Sequence, residues 1–291
     1  MSSVTTMFES LLVDPPVWIL WGLGCLSVHI LSYLLSSHVL PKGPWTELPS
    51  FTAHQVVALP VMIYTTILGF QSWFGTLLEA ECSNNMVLDI YPQGLYFGQL
   101  VIGGMLLWDI PTGFLSDGMG DPILHVHHIG MLLVAGITVG VFSSQPIGSC
   151  YAPFFFGVIE VSSIPLAIVD IFHPKRKAWH DYHTSIHTLV TINDISRILF
   201  AILFILVRAI YFPYVVLTQV LPDFWNQANN KTIKQDSDMT ARDAPALWAI
   251  MILSLLFSIL QLYWGTMVVQ QIVKVLNIGP TVLSKEEKKQ H

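Results

Sequence analysis

Charge is what this sequence has least of. Of 291 residues, 13 are Lys or Arg and 19 are Asp or Glu, which makes 11% charged, where a soluble domain carries about a quarter. Over half of the residues, 53%, are apolar. Together these figures exclude an ordinary soluble domain and leave a protein that crosses a membrane several times. There is no basic stripe and no nucleic-acid motif, which excludes nucleic acid as a partner. The opening, MSSVTTMFESLLVDPP, has no basic n-region and carries Glu9 and Asp14, so it does not read as a cleaved secretory signal. The first apolar segment is therefore expected to stay in the membrane. No internal repeat is visible, and the only low-complexity tract is the tail SKEEKKQ.

What the chain does have is long apolar stretches. A spanning helix needs roughly 20 such residues. Seven stretches qualify: 16–40, 51–75, 94–115, 123–142, 151–172, 187–220 and 245–276. The expected fold is an all-α polytopic bundle of about seven spans around a central lipid cavity. Its parts are an N-terminal segment with the first span (1–50), a six-helix domain (51–276) and a polar tail (277–291). The sixth and seventh stretches are over-long and are expected to tilt, kink or project. Pro60, Pro111 and Pro165 lie within or at the ends of helices, and Pro213 is expected to break the sixth, because proline removes a backbone donor and crowds the preceding turn.

Lys and Arg in short loops set the orientation. With the N-terminus lumenal, the cytosolic side carries Lys42, Lys175, Arg176, Lys177, Lys274, Lys285, Lys288 and Lys289. The lumenal side carries only Lys231, Lys234 and Arg242. The C-terminus is then cytosolic. The sequon Asn230-Lys231-Thr232 falls on the lumenal side, where glycosylation takes place. Cys82 and Cys150 both fall in lumenal loops, where an oxidising medium lets them pair, while Cys25 lies inside the first span. Two free thiols are the alternative.

An ionisable side chain at membrane depth costs at least about 2.5–3.5 kcal/mol near a helix centre, so such residues face the bundle interior. Here they are Asp109, His127, His128, Glu160, Asp194, Arg197 and Arg208, with His54 and Gln261 as milder cases. His127 and His128 open the fourth span and point about 100° apart, so one can face a cavity while the other meets a neighbouring helix. Imidazole serves as base, acid or nucleophile, and equally as a plain helix–helix hydrogen bonder. Asp109 is placed to orient a histidine through its ring N–H, as the acid does in a triad, or to reach the headgroups. Glu160 and Ser163, one turn apart, read as a substrate-facing acid and hydroxyl or as a packing network. Arg197 and Arg208, eleven apart, are candidates to bind phosphate or carboxylate, or to pair with Asp194 and Glu160.

At these residues the chain resembles the TLC domain family, which includes the ceramide synthases. The resemblance covers roughly 51–276 and rests on Trp108-Asp109, His127-His128 opening a helix, Glu160-Val161-Ser162-Ser163-Ile164-Pro165, Arg197-Ile198-Leu199-Phe200 and Gln261-Leu262-Tyr263-Trp264. It implies a helix bundle around a cavity that takes an acyl chain, in the endoplasmic reticulum or a connected membrane. It also implies acyl transfer from acyl-CoA to a lipid amine or hydroxyl. On that model His127 or His128 is base or nucleophile, Asp109 the orienter and Glu160 the acid. Ser163, Arg197, Arg208, Gln261 and Tyr263 become candidate substrate contacts, no bound cofactor is needed, and a homo-oligomer stays open. The ceramide-synthase pattern continues with a His-Asp and a further Asp, where this chain has Ile159, Glu160 and Ser163 nearby and no histidine. This points away from ceramide synthesis and toward another acyl transfer, or toward a lipid-binding, sensing or membrane-composition role without turnover.

A separate reading starts from His180-x-x-His183-x-x-x-His187 beside His125, His127 and His128. Membrane di-iron oxidases hold metal with such boxes, and imidazole suits iron. Those enzymes need more boxes than this chain supplies. The preferred reading of 173–187, with Lys175, Arg176 and Lys177, is a juxtamembrane segment on anionic headgroups, able also to attract the phosphates of acyl-CoA.

Overall fold

A computed structural model describes residues 16–116, 119, 122–229 and 243–287. Among these residues the structure is helical with no strand. The principal runs are α1 (Val17–Val39), α2 (Pro49–Trp73), α3 (residues 92–115), α4 (Pro122–Thr138), α5 (Ser149–Ile171), α6 (Lys177–Thr184), α7 (His187–Asn229) and α8 (Asp243–Glu287). Five helices are long and apolar enough to cross a membrane: α1, α2, α5, α7 and Asp243–Lys274 of α8. By the same measures α4, at 17 residues, is too short, and α3 is not among the five. The sequon at Asn230 lies outside the described residues. The last helix continues to Glu287, beyond residue 276 where a polar tail is expected from sequence.

Proline sets where several helices begin and how others continue. Pro49, Pro92 and Pro122 are first residues of α2, α3 and α4, positions where the missing N–H has no partner to lose. Inside helices the chain changes helix type ahead of the ring. A π-turn, Met105–Asp109, precedes Pro111. Another, Phe204–Tyr211, precedes Pro213. A 3-10 turn, Val158–Ser162, precedes Pro165. At the two π-turns the i→i+5 ladder replaces the usual one, as in Ile110 N–H to Met105 O and Phe212 N–H to Val207 O. Pro213 therefore does not break α7. The helix runs on to Asn229, about 65 Å in all at 1.5 Å per residue.

The connecting loops gather at two ends. At one end, Cys82 and Cys150 are bonded (S–S 2.03 Å), Asn85 Nδ2 donates to Gln227 Oε1 (3.1 Å), and Ser144 N donates to Asp243 Oδ1 (2.8 Å). At the other, Trp179 Nε1 donates to Thr52 Oγ1 (3.2 Å), Ser50 bonds Ser116, and Trp45 lies edge-on to Trp179 and Tyr182. Seven runs thus alternate in direction, with α6 lying across the second end.

Within the bundle α1 packs on α2 and α3, α2 on α5, α3 on α4 and α5, α5 on α7, α7 on α8, and α8 back on α4. Half of the most apolar window of α5 is buried, against 17% for α1, so α5 is central and α1 peripheral. Glycines permit the closest crossings. A Cβ on Gly157 would lie 2.6 Å from Gly69 Cα, where α5 crosses α2, and one on Gly103 would lie 2.0 Å from Trp18 O, where α3 crosses α1. Aromatic packing fills the interior between α5 and α7, where Phe154, Tyr151, Phe212 and Phe224 are almost fully buried.

Candidate functional site

Three helices bring one carboxylate and two imidazoles together, one to two turns inside the α6 end. Asp109 ends the π-turn of α3 and is buried. His54, on the second turn of α2, donates from Nε2 to Asp109 Oδ1 (2.9 Å). His128, on the second turn of α4, lies with Nδ1 2.5 Å from Asp109 Oδ2. A carboxylate only accepts, so both facing nitrogens carry protons. In the neutral ring this leaves His128 Nε2 with its lone pair, and no hydrogen bond to that atom is seen among the described residues. His54 is held flat against Trp108 (centroids 5.0 Å, 23°), and Trp108 Nε1–H donates to His29 Nδ1 on α1 (3.3 Å).

His127 points elsewhere. Its ring meets Phe257 and Trp264 of α8 edge-on, at 5.0 and 5.9 Å. It lines a small cavity of about 20 Å³ with Gln261, Ser254, Ile159 and several phenylalanines. That space holds about one water and no acyl chain.

A second polar cluster sits deeper, where the 3-10 turn of α5 faces α7. Arg208 is buried. Its Nε donates to Ser162 Oγ (2.8 Å) and Ile159 O (3.2 Å), and its Nη2 to Ser163 Oγ (2.8 Å) and Glu160 Oε1 (3.3 Å). The 3-10 geometry presents Glu160, Ser162 and Ser163 to one guanidinium. His128 lies within electrostatic reach of Asp109, Glu160 and Arg208, so the two clusters share a field.

A family model for the TLC domain matches residues 47–270. The chain belongs to the TLC domain family. No curated protein and no solved structure gives a match. Helix α1 precedes the part that matches the TLC domain, yet its His29 completes the support of Trp108.

Several residues singled out in the sequence stand apart from this TLC-domain site. Arg197 does not pair with Glu160. It is exposed, and its Nε reaches Asn193 Oδ1 at 3.5 Å. Eleven residues along a helix span about 16 Å, so Arg197 lies nearer the α6 end than Glu160. Tyr263 is 54% exposed, because Gln261 and Trp264, three apart, share the inward face of α8 and leave Tyr263 on another. His187 does not share a helix face with His180 and His183, since the chain breaks between α6 and α7. His180 Nδ1 donates to Phe172 O (3.0 Å), and His183 Nε2 accepts from Asn193 Nδ2 (3.4 Å). His125 stacks on Phe114 at 4.2 Å, away from His128. Among the described residues, no three His, Cys, Asp or Glu side chains converge to hold a metal. The sequence offers His54 only as a milder case and does not single out His29, yet both join this site. The one signal for each was an imidazole in an apolar run.

Proposed function

We propose that this TLC-domain protein crosses the endoplasmic reticulum membrane, or a connected one, seven times and transfers an acyl group from acyl-CoA to a lipid hydroxyl or amine. The observation that carries this reading is the Asp109–His128 dyad, 2.5 Å between Oδ2 and Nδ1, with Nε2 left as a base. In the reaction, His128 Nε2 takes the proton of the acceptor as its oxygen or nitrogen attacks the thioester carbonyl. The C–S bond then breaks, and the CoA thiolate leaves with the proton that His128 returns. Asp109 holds the imidazole in the required tautomer and steadies the imidazolium. His54 supports Asp109 from the other side. The Glu160–Arg208 pair joins α5 to α7 and adds to the field at His128.

In this reading the two further spans are α3 and α4. The disulfide end faces the oxidising lumen and the α6 end the cytosol, where Lys175, Arg176 and Lys177 meet anionic headgroups and acyl-CoA phosphates. The N-terminus is lumenal and the C-terminus cytosolic.

One observation favours a second reading, a lipid-binding or membrane-regulating protein without turnover: the cavity beside His127 holds about one water. The test is acyl transfer by purified protein in nanodiscs, using labelled acyl-CoA and a panel of lipid alcohols and amines, with His128→Ala as control. Product from wild type alone supports the enzyme. A wild type as inert as His128→Ala, while lipid still co-purifies, favours the second reading.

A further inference from the structure

Two residues that line the small cavity between α4, α5, α7 and α8 each carry a buried polar atom with no hydrogen-bond partner among the described residues. The atoms are His127 Nδ1 and Gln261 Oε1, on residues 7% and 1% exposed. Buried polar groups are almost always satisfied, and each orphan costs free energy comparable to a lost hydrogen bond. Two orphans on one cavity are a stronger signal than either alone. Apart from Ser254, the remaining walls are apolar, with Phe155, Phe156, Phe212 and Phe257 prominent.

We infer that His127 and Gln261 form a subsite for the hydroxyl of a neutral, long-chain lipid. The amide oxygen of Gln261 only accepts, so its partner must donate. His127 in its Nδ1–H tautomer donates, so its partner must accept. One hydroxyl satisfies both. An ammonium has no acceptor, and its charge would be stranded among phenylalanines. A carboxylate has no donor for Gln261. The cavity volume, about 20 Å³, is that of one hydroxyl or one water. The hydrocarbon that carries the hydroxyl extends along the phenylalanine walls, whose side chains turn aside to admit it. The rings of His127 and His128 are 5.8 Å apart, so the subsite adjoins the dyad. The inference rests on the proposed function only in taking a lipid as the ligand, and its test needs no turnover.

The probe is a photoreactive sixteen-carbon alcohol, compared with its methyl ether, in wild-type protein in phosphatidylcholine nanodiscs. The ether keeps the chain and loses the donor. One buried hydrogen bond is a preference of about tenfold for the alcohol. Gln261→Leu removes the acceptor without adding volume demand, so the preference should fall to about one while the melting temperature stays level or rises. A wild type that labels equally with both probes overturns the inference and leaves the cavity to water. So does Gln261→Leu that keeps the tenfold preference. The wild-type ratio decides the matter even if the variant fails to fold. Alcohol preference without acyl transfer would sink the enzyme reading alone. Transfer without alcohol preference would sink this one alone.

Discussion

Replacing Arg208 by methionine removes a guanidinium that donates to four acceptors and leaves Glu160 with no other ion-pair partner among the described residues. Both side chains are well shielded, at 8% for Arg208 and 17% for Glu160. Breaking a buried pair on one side costs about 3–5 kcal/mol, because the surviving charge stays buried and unpaired. Arg208→Met should therefore lower unfolding stability by about that amount, measured by mixed-micelle denaturant titration of the purified protein. Removing the stranded charge as well, in Arg208→Met with Glu160→Gln, should restore roughly 2 kcal/mol of the loss as a coupling energy. Arg197→Met serves as the contrast, since Arg197 is exposed, and should stay within about 0.5 kcal/mol of wild type. A coupling below about 0.5 kcal/mol between positions 160 and 208 would refute the pairing, as would a larger loss at Arg197 than at Arg208.

Other expectations follow from the packing. Cys82→Ser opens a closure spanning 68 residues and should cost at most about 4 kcal/mol by chain entropy. Non-reducing peptide mapping that finds both thiols free in wild type would contradict the bond itself. Gly103→Val puts a side chain where Trp18 O already stands 2.0 Å from the Cβ site, and should cost about 1–3 kcal/mol by forcing α1 off α3. Gly24→Val, with open space around its Cβ site, is the control and should melt like wild type in a detergent thermal scan.

Hydropathy alone located the seven long helical runs but not the polar α6, because a bilayer demands long apolar runs and leaves little room for other solutions. It did not foresee that α7 would continue through Pro213, since the π-turn Phe204–Tyr211 that admits the ring has no simple periodic signature. The pairing of Asp109 with a histidine was legible, because an acid and imidazoles near the same ends of successive helices have few other partners. Which histidine was not, since His127 and His128 differ only by the rotation of one residue. His54 stood only as a milder case for another reason. It is alone in an apolar run, and its partner comes from a helix more than fifty residues away. Arg197 and Arg208 looked equivalent by face, and depth separated them. The cavity was expected to admit an acyl chain. The space beside His127, walled largely by aromatic side chains, holds about one water.

The most direct test of the central claim is the acyl-transfer rate of Asp109→Asn against wild type in nanodiscs, at saturating acyl-CoA and acceptor. Asparagine keeps the shape but removes the charge that steadies the His128 imidazolium, and its NH2 must face one of the two imidazoles, breaking the paired arrangement. The dyad predicts a fall on the order of 10²–10⁴ with the melting temperature nearly unchanged. A folded Asp109→Asn protein that transfers acyl groups at the wild-type rate would contradict it.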